Sequence, residues 1–305
     1  MPAYGSLRAL TLGVCLSVSV ACGQSTPGGE GSGSTSGSGP VVRITGSDTM
    51  VNLVQAWAEN YKKKRPDVTV QVAGGGSGVG IAGLIDGILD MAASSREMEP
   101  DEIERAKQRN GAEPKEFRVA LDGLAIYAHK SNPIEAISLD ELAEIYGEGG
   151  KILKWSDLGI ANAACASGEI IRVSRQNNSG TYVYFREVVL GTEREFKLGS
   201  IDQSGSKDVV TLVSRTPCAV GYSGMAYITP EVKQLKVSKK KGETGVAPTI
   251  ATALAGSYPI ARPLYLYTRL APEGAIKEFI DWVLGAEGQK IVQDIGYVPV
   301  TPKAE

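Results

Sequence analysis

The sequence predicts an α/β fold built on a parallel or mixed sheet, and three observations carry that prediction. From residue 41 onward, short runs rich in β-branched and aliphatic residues alternate with segments whose apolar residues recur at helical spacing. Glycine- and serine-rich turns follow several of the strand-like runs and precede the next helical segment, as in a βαβ chain. With 305 residues, 42% of them hydrophobic, the chain can bury a large core without metals or disulfides carrying the fold.

Val41 to Thr45 is a β-rich run, and Met50 to Arg65 places Leu53, Val54, Trp57 and Tyr61 on one helical face. Its basic end suits a helix C-terminus, and Pro66 stops it. Val68 to Ala73 alternates as a strand, Val79 to Ile88 reads as a helix, Asp90 to Ala93 as a short strand and Pro100 to Gln108 as a helix. Phe117 to Ala128 is a long strand-like run. Ser138 and Glu141 form a capping box for a helix ending at Tyr146, and Ile170 to Val173 is a strand leading to a helix over Thr181 to Leu190. Ser206 to Ser214 is helical, Ala219 to Tyr222 a strand, and Ser238 to Gly245 a polar loop with a solvated lysine tip. Ile260 to Thr268 is a strand. Pro272 to Leu284 is a helix with proline in its first turn and Phe279, Trp282 and Val283 on one face, and a last helix lies near Gln289 to Ile295.

The first 40 residues carry address and tether. Leu10 to Ala21 is apolar, follows a segment whose only basic side chain is Arg8, and is too short to span a membrane, so residues 1–21 read as a signal peptide. Small Ala21 before Cys22 resembles a lipoprotein cleavage box, although Ser19 stands where leucine is usual; the other reading is an ordinary secretory peptide with Cys22 a leftover thiol. Residues 22–40 are a Gly/Ser-rich tether with a reach on the order of 23 Å, enough to hold a domain just off a membrane. Export leaves Cys165 and Cys218, which are either one disulfide or two buried thiols, and neither has metal-site spacing.

Composition excludes several functions. A net charge of −2 and 6% aromatics give neither the basic footprint nor the stacking platforms of a nucleic-acid binder. A single histidine, His129, argues against a Ser-His-Asp triad and against a multi-histidine metal centre. No cofactor is expected: Gly78-Val-Gly80-Ile-Ala-Gly83 matches a dinucleotide fingerprint only in isolation, and no Gly-Lys-Ser/Thr completes a P-loop.

What chemistry there is sits in four loops at strand ends. They are Gly46-Ser47-Asp48-Thr49, Gly74-Gly75-Gly76-Ser77-Gly78, Ser94-Ser95-Arg96, and Arg175-Gln176-Asn177-Asn178-Ser179-Gly180-Thr181. Helix N-termini offer unpaired N–H groups, and neighbouring hydroxyls add donors without bulk, so convergence of such loops outside the carboxyl ends of the strands would make an anion socket. Taken singly, the same Ser and Thr residues could be plain helix caps, the glycines a tight turn, and Arg96 and Arg175 surface cations.

At these residues the chain resembles the periplasmic phosphate-binding proteins of phosphate ABC transporters, the PstS-like group of type II solute-binding proteins. The resemblance runs from residue 41 to about 300 and is carried by Ile44 to Met50 (ITGSDTM), Gly74 to Gly80 (GGGSGVG), Asp90 to Arg96 (DMAASSR) and the Arg-x-x-x-Ser-Gly-Thr of Arg175 to Thr181. It implies a two-lobed type II periplasmic-binding fold, each lobe a mixed sheet flanked by helices, joined by two hinge crossovers near Leu121 to Ile126 and Tyr258 to Leu264. Residues 41–123 plus 262–305 would form lobe I, and 124–261 lobe II. It implies a phosphate site of Ser47, Asp48, Thr49, Ser77, Ser95, Arg96, Arg175, Ser179, Gly180 and Thr181, with Arg175 as counter-charge. The partners implied are inorganic phosphate, ABC permease subunits and a membrane through the N-terminal lipid, with the protein a monomer outside the cytoplasm and not an enzyme. Another oxyanion such as sulfate or molybdate, or a sensor or adhesion role without transport, are the alternatives. Two departures stand out. Ser95 replaces an aspartate that in some members accepts the proton of hydrogen phosphate, which makes Asp48 the candidate acceptor, and Gln176, Asn177 and Asn178 replace an acid that pairs with the arginine, which would leave Arg175 unpaired.

Overall fold

The computed structural model describes residues 39–300, so the expected signal peptide, Cys22 and nearly all of the tether lie outside the described residues. The first strand-helix pairs are β1 (Val41–Gly46) with α1 (Val51–Lys64), β2 (Thr69–Ala73) with α2 (Ser77–Ile85) and β3 (Met91–Ser94) with α3 (Pro100–Asn110), followed by the long β4 (Lys115–His129). The middle of the chain holds β5 (Ala136–Ser138), α4 (Leu139–Tyr146), β6 (Ile171–Arg175), α5 (Gly180–Phe185, continued by a wider turn over Arg186–Leu190), β7 (Ile201–Gln203), α6 (Ser206–Arg215), β8 (Ala219–Gly224), β9 (Val232–Gln234), β10 (Lys236–Ser238) and α7 (Ile250–Leu254). The chain returns through β11 (Ala261–Thr268), α8 (Gly274–Leu284), α9 (Ala286–Asp294) and β12 (Val298–Pro299).

The principal sheet runs β2-β1-β3-β11-β4-β8-β6-β7. It divides along β4, whose Lys115–Gly123 stretch pairs antiparallel with β11 and whose Leu124–Ala128 stretch pairs antiparallel with β8. One half-sheet is therefore β2-β1-β3-β11, with β1 parallel to both β2 and β3, and the other is β8-β6-β7, all parallel. Parallel strands need helical crossovers, which is why helices cover both halves. In each half the strand-to-helix loops leave the carboxyl ends of the strands, and these ends bring the hydroxyl-rich loops together.

Each half has its own core. In the first, α1 buries Leu53, Val54, Trp57 and Tyr61, as the spacing predicted; the Tyr61 and Phe279 rings meet edge to face at 5.1 Å, and the Trp57 indole donates to Gly288 O at 2.9 Å. In the second, Phe185 stacks on Tyr222 with centroids 3.9 Å apart, and Tyr146 packs edge-on to both. Burying each such ring contributes about 1.5–3 kcal/mol. The capping box of α4 is present, Ser138 Oγ accepting from Glu141 N at 3.2 Å while Glu141 accepts from Ser138 N at 3.0 Å.

Three helix starts differ by two or more residues from the sequence expectation, one of them α9, which begins at Ala286 and not near Gln289. Helix α2 begins at Ser77, where Val79 was expected, because glycine-rich sequence hides the first turn from a periodicity reading; α8 begins at Gly274, with Glu273 at the cap, leaving Pro272 outside. Strands β5, β7, β9, β10 and β12, of two or three residues each, were not predicted; they are too short for a period to show.

Cys165 and Cys218 form a disulfide, which settles the alternatives left by the sequence. It closes a loop spanning 53 residues, for which chain entropy implies about 4 kcal/mol of stabilisation. Replacing both cysteines by serine is expected to lower the urea-unfolding free energy by about that amount. An unchanged midpoint, with reductant also without effect on the parent chain, would mean that the bond contributes nothing.

Candidate functional site

The loops β1–α1, β2–α2, β3–α3 and β6–α5, joined by the start of α6, meet where the two halves face each other. Several contacts cross this boundary, among them four between the loops themselves. Thr49 Oγ1 lies 2.9 Å from Thr181 Oγ1, Gly78 N donates to Asn178 O at 3.0 Å, Asn178 Nδ2 donates to Gly75 O at 3.0 Å, and Arg175 Nη2 donates to Asp48 Oδ2 at 3.2 Å. The glycines of the β2–α2 loop are explained by this approach. At Gly76, with φ of +93°, an added Cβ would lie 2.6 Å from Asn178 O.

The β1–α1 loop is not a cap. Met50 takes the N-cap position of α1 with no side-chain bond, so Ser47, Asp48 and Thr49 are available for other contacts. Ser47 is 3% exposed and its hydroxyl has no hydrogen-bond partner among the described residues. Asp48 accepts from Gly75 N through Oδ1 at 2.9 Å and from Arg175 through Oδ2. In the β6–α5 loop Ser179 is a true cap, its Oγ accepting from Thr181 N at 3.1 Å, so here the capping reading holds. Ser77 Oγ accepts from Ser95 N at 3.1 Å and lies 3.4 Å from Ser95 Oγ; Gly180 sits directly against both serines.

Arg175 is fully buried, and burial pulls its pKa down against the opposing pull of Asp48. The expectation that it stands unpaired is corrected: its acid is Asp48, in the opposite half and 127 positions away, out of reach of any local reading. Its other N–H groups go to Ser206 Oγ at 3.1 Å, Ser204 O at 2.7 Å and Gln203 O at 3.3 Å. Arg96 is not brought into the cluster. Its guanidinium binds both oxygens of Glu102 at 2.7 Å and donates to Glu97 O, because the first turn of α3 offers a bidentate carboxylate that the anion loops do not.

Three residues that sequence reasoning missed complete the site. Arg262 on β11 and Asp122 on β4 are register neighbours, 1% and 0% exposed, paired at 3.1 Å. Burial raises the Asp122 carboxyl above its ordinary range and Arg262 pulls it back. Arg262 also donates to Ser95 O at 3.0 Å, to Thr181 Oγ1 at 2.9 Å and, at 3.4 Å, to Thr49 Oγ1. Ser206 Oγ lies 3.4 Å from Thr49 Oγ1 and accepts from Arg175. The available signal was a charge amid apolar neighbours in each of two strand-like runs, Asp122 in Phe117 to Ala128, which also carries Arg118 near its start, and Arg262 in Ile260 to Thr268.

Counting protons shows what the cluster can do. Arginine only donates. In the chain Thr181–Thr49–Ser206 the end hydroxyls accept from Arg262 and Arg175, so two mutual contacts cannot use the protons of all its hydroxyls, and at least one is left without an acceptor among the described hydrogen bonds. The Ser77–Ser95 pair, with one mutual contact, likewise has an O–H to spare, and so does Ser47. Among the described residues, Arg175 and Arg262 form ion pairs only with Asp48 and Asp122. A buried cluster with surplus donors is matched to a small ligand made mostly of acceptors, such as a tetrahedral oxyanion.

Residues 27–287 match the PBP superfamily domain. The chain is 35% identical over 268 residues to the phosphate-binding protein PstS of Pseudomonas aeruginosa, covering 85% of this chain and 82% of that one. It is 30% identical over 304 residues to the phosphate-binding protein PstS of Bacillus subtilis, covering 96% and 93%. Among solved structures, a phosphate ABC transporter substrate-binding protein of Clostridium perfringens with bound phosphate superposes with a TM-score of 0.76 at 31% identity, covering 86% of this chain and all of that one.

Proposed function

Since this chain belongs to the PBP superfamily, as a relative of the phosphate-binding proteins, we propose that it is a lipid-anchored extracytoplasmic receptor that binds inorganic phosphate between two closing lobes and delivers it to an ABC permease. It is a binding protein and not an enzyme. The lobes proposed are residues 41–123 with 262–305 and residues 124–261, with the anion held by Ser47, Thr49, Ser77, Ser95, Thr181 and the N-terminal turn of α5, and with Arg175 as counter-charge.

The observation that carries this reading is the surplus of O–H donors beside a buried Arg175, supplied jointly by both halves. Stripping water from a dianion is costly, so most ligand oxygens must receive donors, and charge-assisted bonds are the strongest available. Because the donors belong to two lobes, ligand shifts the hinge equilibrium towards the closed shape, which is the shape a permease would distinguish. Lipid attachment at Cys22 and the tether would keep that shape near the membrane.

A second reading, another oxyanion, is favoured by Ser95 standing where a carboxylate would accept the proton of hydrogen phosphate, and by Asp48 having both oxygens already engaged. Calorimetric titration of the chain from residue 22, freed of bound anion, distinguishes the two. Saturable phosphate binding is expected; sulfate bound at least about a hundredfold more weakly would show that a carboxylate lone pair, such as one of Asp48, still faces the anion, since one unpaired lone-pair repulsion in a buried site costs several kcal/mol. Equal binding of sulfate would establish the second reading, and binding of neither would overturn both.

A further inference from the structure

We infer that Arg262, paired with Asp122 on the two strands that join the halves, is a positioning residue for anion binding, which fixes Thr181 and Thr49 as hydroxyl donors when the lobes are closed. The inference rests on the phosphate-receptor reading and deepens it.

The placement is specific. β4 and β11 pass from one half to the other beside the hydroxyl cluster, with Arg262 directly opposite Asp122 in their ladder. Two strands already joined by backbone hydrogen bonds gain little from a buried ion pair, whose desolvation commonly cancels its attraction. The remaining donors of Arg262 explain its presence better. Nη1 holds Ser95 O of the first half, and Nη2 reaches Thr181 Oγ1 of the second and, more weakly, Thr49 Oγ1 of the first. The Tyr184 ring lies 5.3 Å from the guanidinium carbon, and its hydroxyl donates to Ala261 O, so α5 is seated on the same strand. The hydrogen-bond set of Arg262 is therefore complete only with the halves together.

The chemistry follows from the donor-only character of guanidinium. Thr181 Oγ1 must accept from Arg262, so its own proton is directed to Thr49 or to a ligand oxygen. With nearly all its N–H groups taken by protein atoms, Arg262 acts through these hydroxyls. A glutamine in its place could offer a carbonyl oxygen and take the Thr181 proton for itself, removing a donor from the anion. A lysine would keep the charge opposite Asp122 but, with one nitrogen, could not span Asp122, Ser95 O and Thr181 together.

The test is a double-mutant cycle on phosphate affinity, measured by calorimetry on the chain from residue 22. Its corners are the parent, R262Q with D122N, T181V, and all three substitutions. The paired neutral variant avoids leaving Asp122 buried without its partner. It is expected to fold, by circular dichroism, and to lose about tenfold to a hundredfold in affinity, the value of a charge-assisted hydrogen bond. Adding those changes to T181V should cost less than threefold more, because the threonine through which Arg262 acts is already gone. Should the neutral pair fail to fold, R262K decides: a loss of tenfold or more despite retained charge supports positioning. Affinity kept within about twofold in either Arg262 variant, or additive losses around the cycle, would assign the pair to hinge structure alone. A parent chain that binds no phosphate would overturn the receptor reading itself.

Discussion

Replacing Gly180 by alanine is expected to leave the ligand-free protein as stable as the parent, or more so, while lowering phosphate affinity by about a hundredfold or more. Gly180 is the first residue of α5, where alanine is the better helix former by up to about 1 kcal/mol. The added Cβ would stand 2.4 Å from Ser77 Oγ, 2.8 Å from Ser95 Oγ and 3.0 Å from Ser77 Cβ. A hydroxyl can rotate away, but a Cβ cannot, so the halves must separate. Separation withdraws donors of one half from an anion held by the other, and losing two charge-assisted bonds at about 1.5 kcal/mol each amounts to roughly a hundredfold. Thermal melting of the ligand-free chain and calorimetric titration together check this. Unchanged affinity would mean that binding does not require the close approach of Gly180 to Ser77.

Arg175→Met should abolish most binding, with affinity falling by about a hundredfold to a few thousandfold. Arg175 supplies the only charge pair seen between the anion loops of the two halves among the described residues, and it orients Ser206 at one end of the hydroxyl chain. Methionine keeps much of the side-chain volume but leaves Asp48 unpaired beside the incoming anion, turning an attraction into a repulsion. Breaking a partly buried pair in this way typically costs about 3–5 kcal/mol. Arg175→Lys should recover little, since a lysine cannot hold Asp48, Ser206 Oγ and Ser204 O at once. Competition with a fluorescent phosphate reporter, alongside a circular-dichroism melt, separates lost binding from lost folding. Affinity within about fivefold of the parent in the methionine variant would remove Arg175 from the site.

The candidate site was legible in the sequence as loops rather than as contacts. Ser47, Thr49, Ser77, Ser95, Arg175, Gly180 and Thr181 were picked out because hydroxyls, glycines and a cation stood between strand-like and helical runs; the structure joins all but Ser47 by contacts in one cluster, and Ser47 is buried in the same loop as Thr49. Asp48 was picked out too, but as a free acceptor, whereas it is held by Gly75 N and Arg175. Arg96 was grouped with the site because it follows Ser95, yet consecutive residues leaving a strand point to opposite sides, and on its side Glu102 was waiting. Arg262 and Asp122 were passed over because the residues beside each are apolar or glycine or proline, where a charge reads as an irregularity until its partner strand is known.

By itself the sequence determined the alternation of strands and helices, the face of α1 that is buried, the capping box of α4, the loops that carry donors, and a histidine count of one, which argues against a multi-histidine metal centre. These follow from interactions between residues a few positions apart, where helical or strand geometry converts spacing into neighbourhood. Only the tertiary structure decided which acid serves Arg175, which arginine enters the site and which leaves it, that Cys165 and Cys218 are joined, and that Gly180 must lack a side chain. Apart from the Arg96–Glu102 pair, whose members are six positions apart, each of these depends on groups dozens to more than a hundred positions apart in the chain. Charge pairing and steric contact act through space over a few ångströms, and those distances exist only once the sheet has brought its strand ends together.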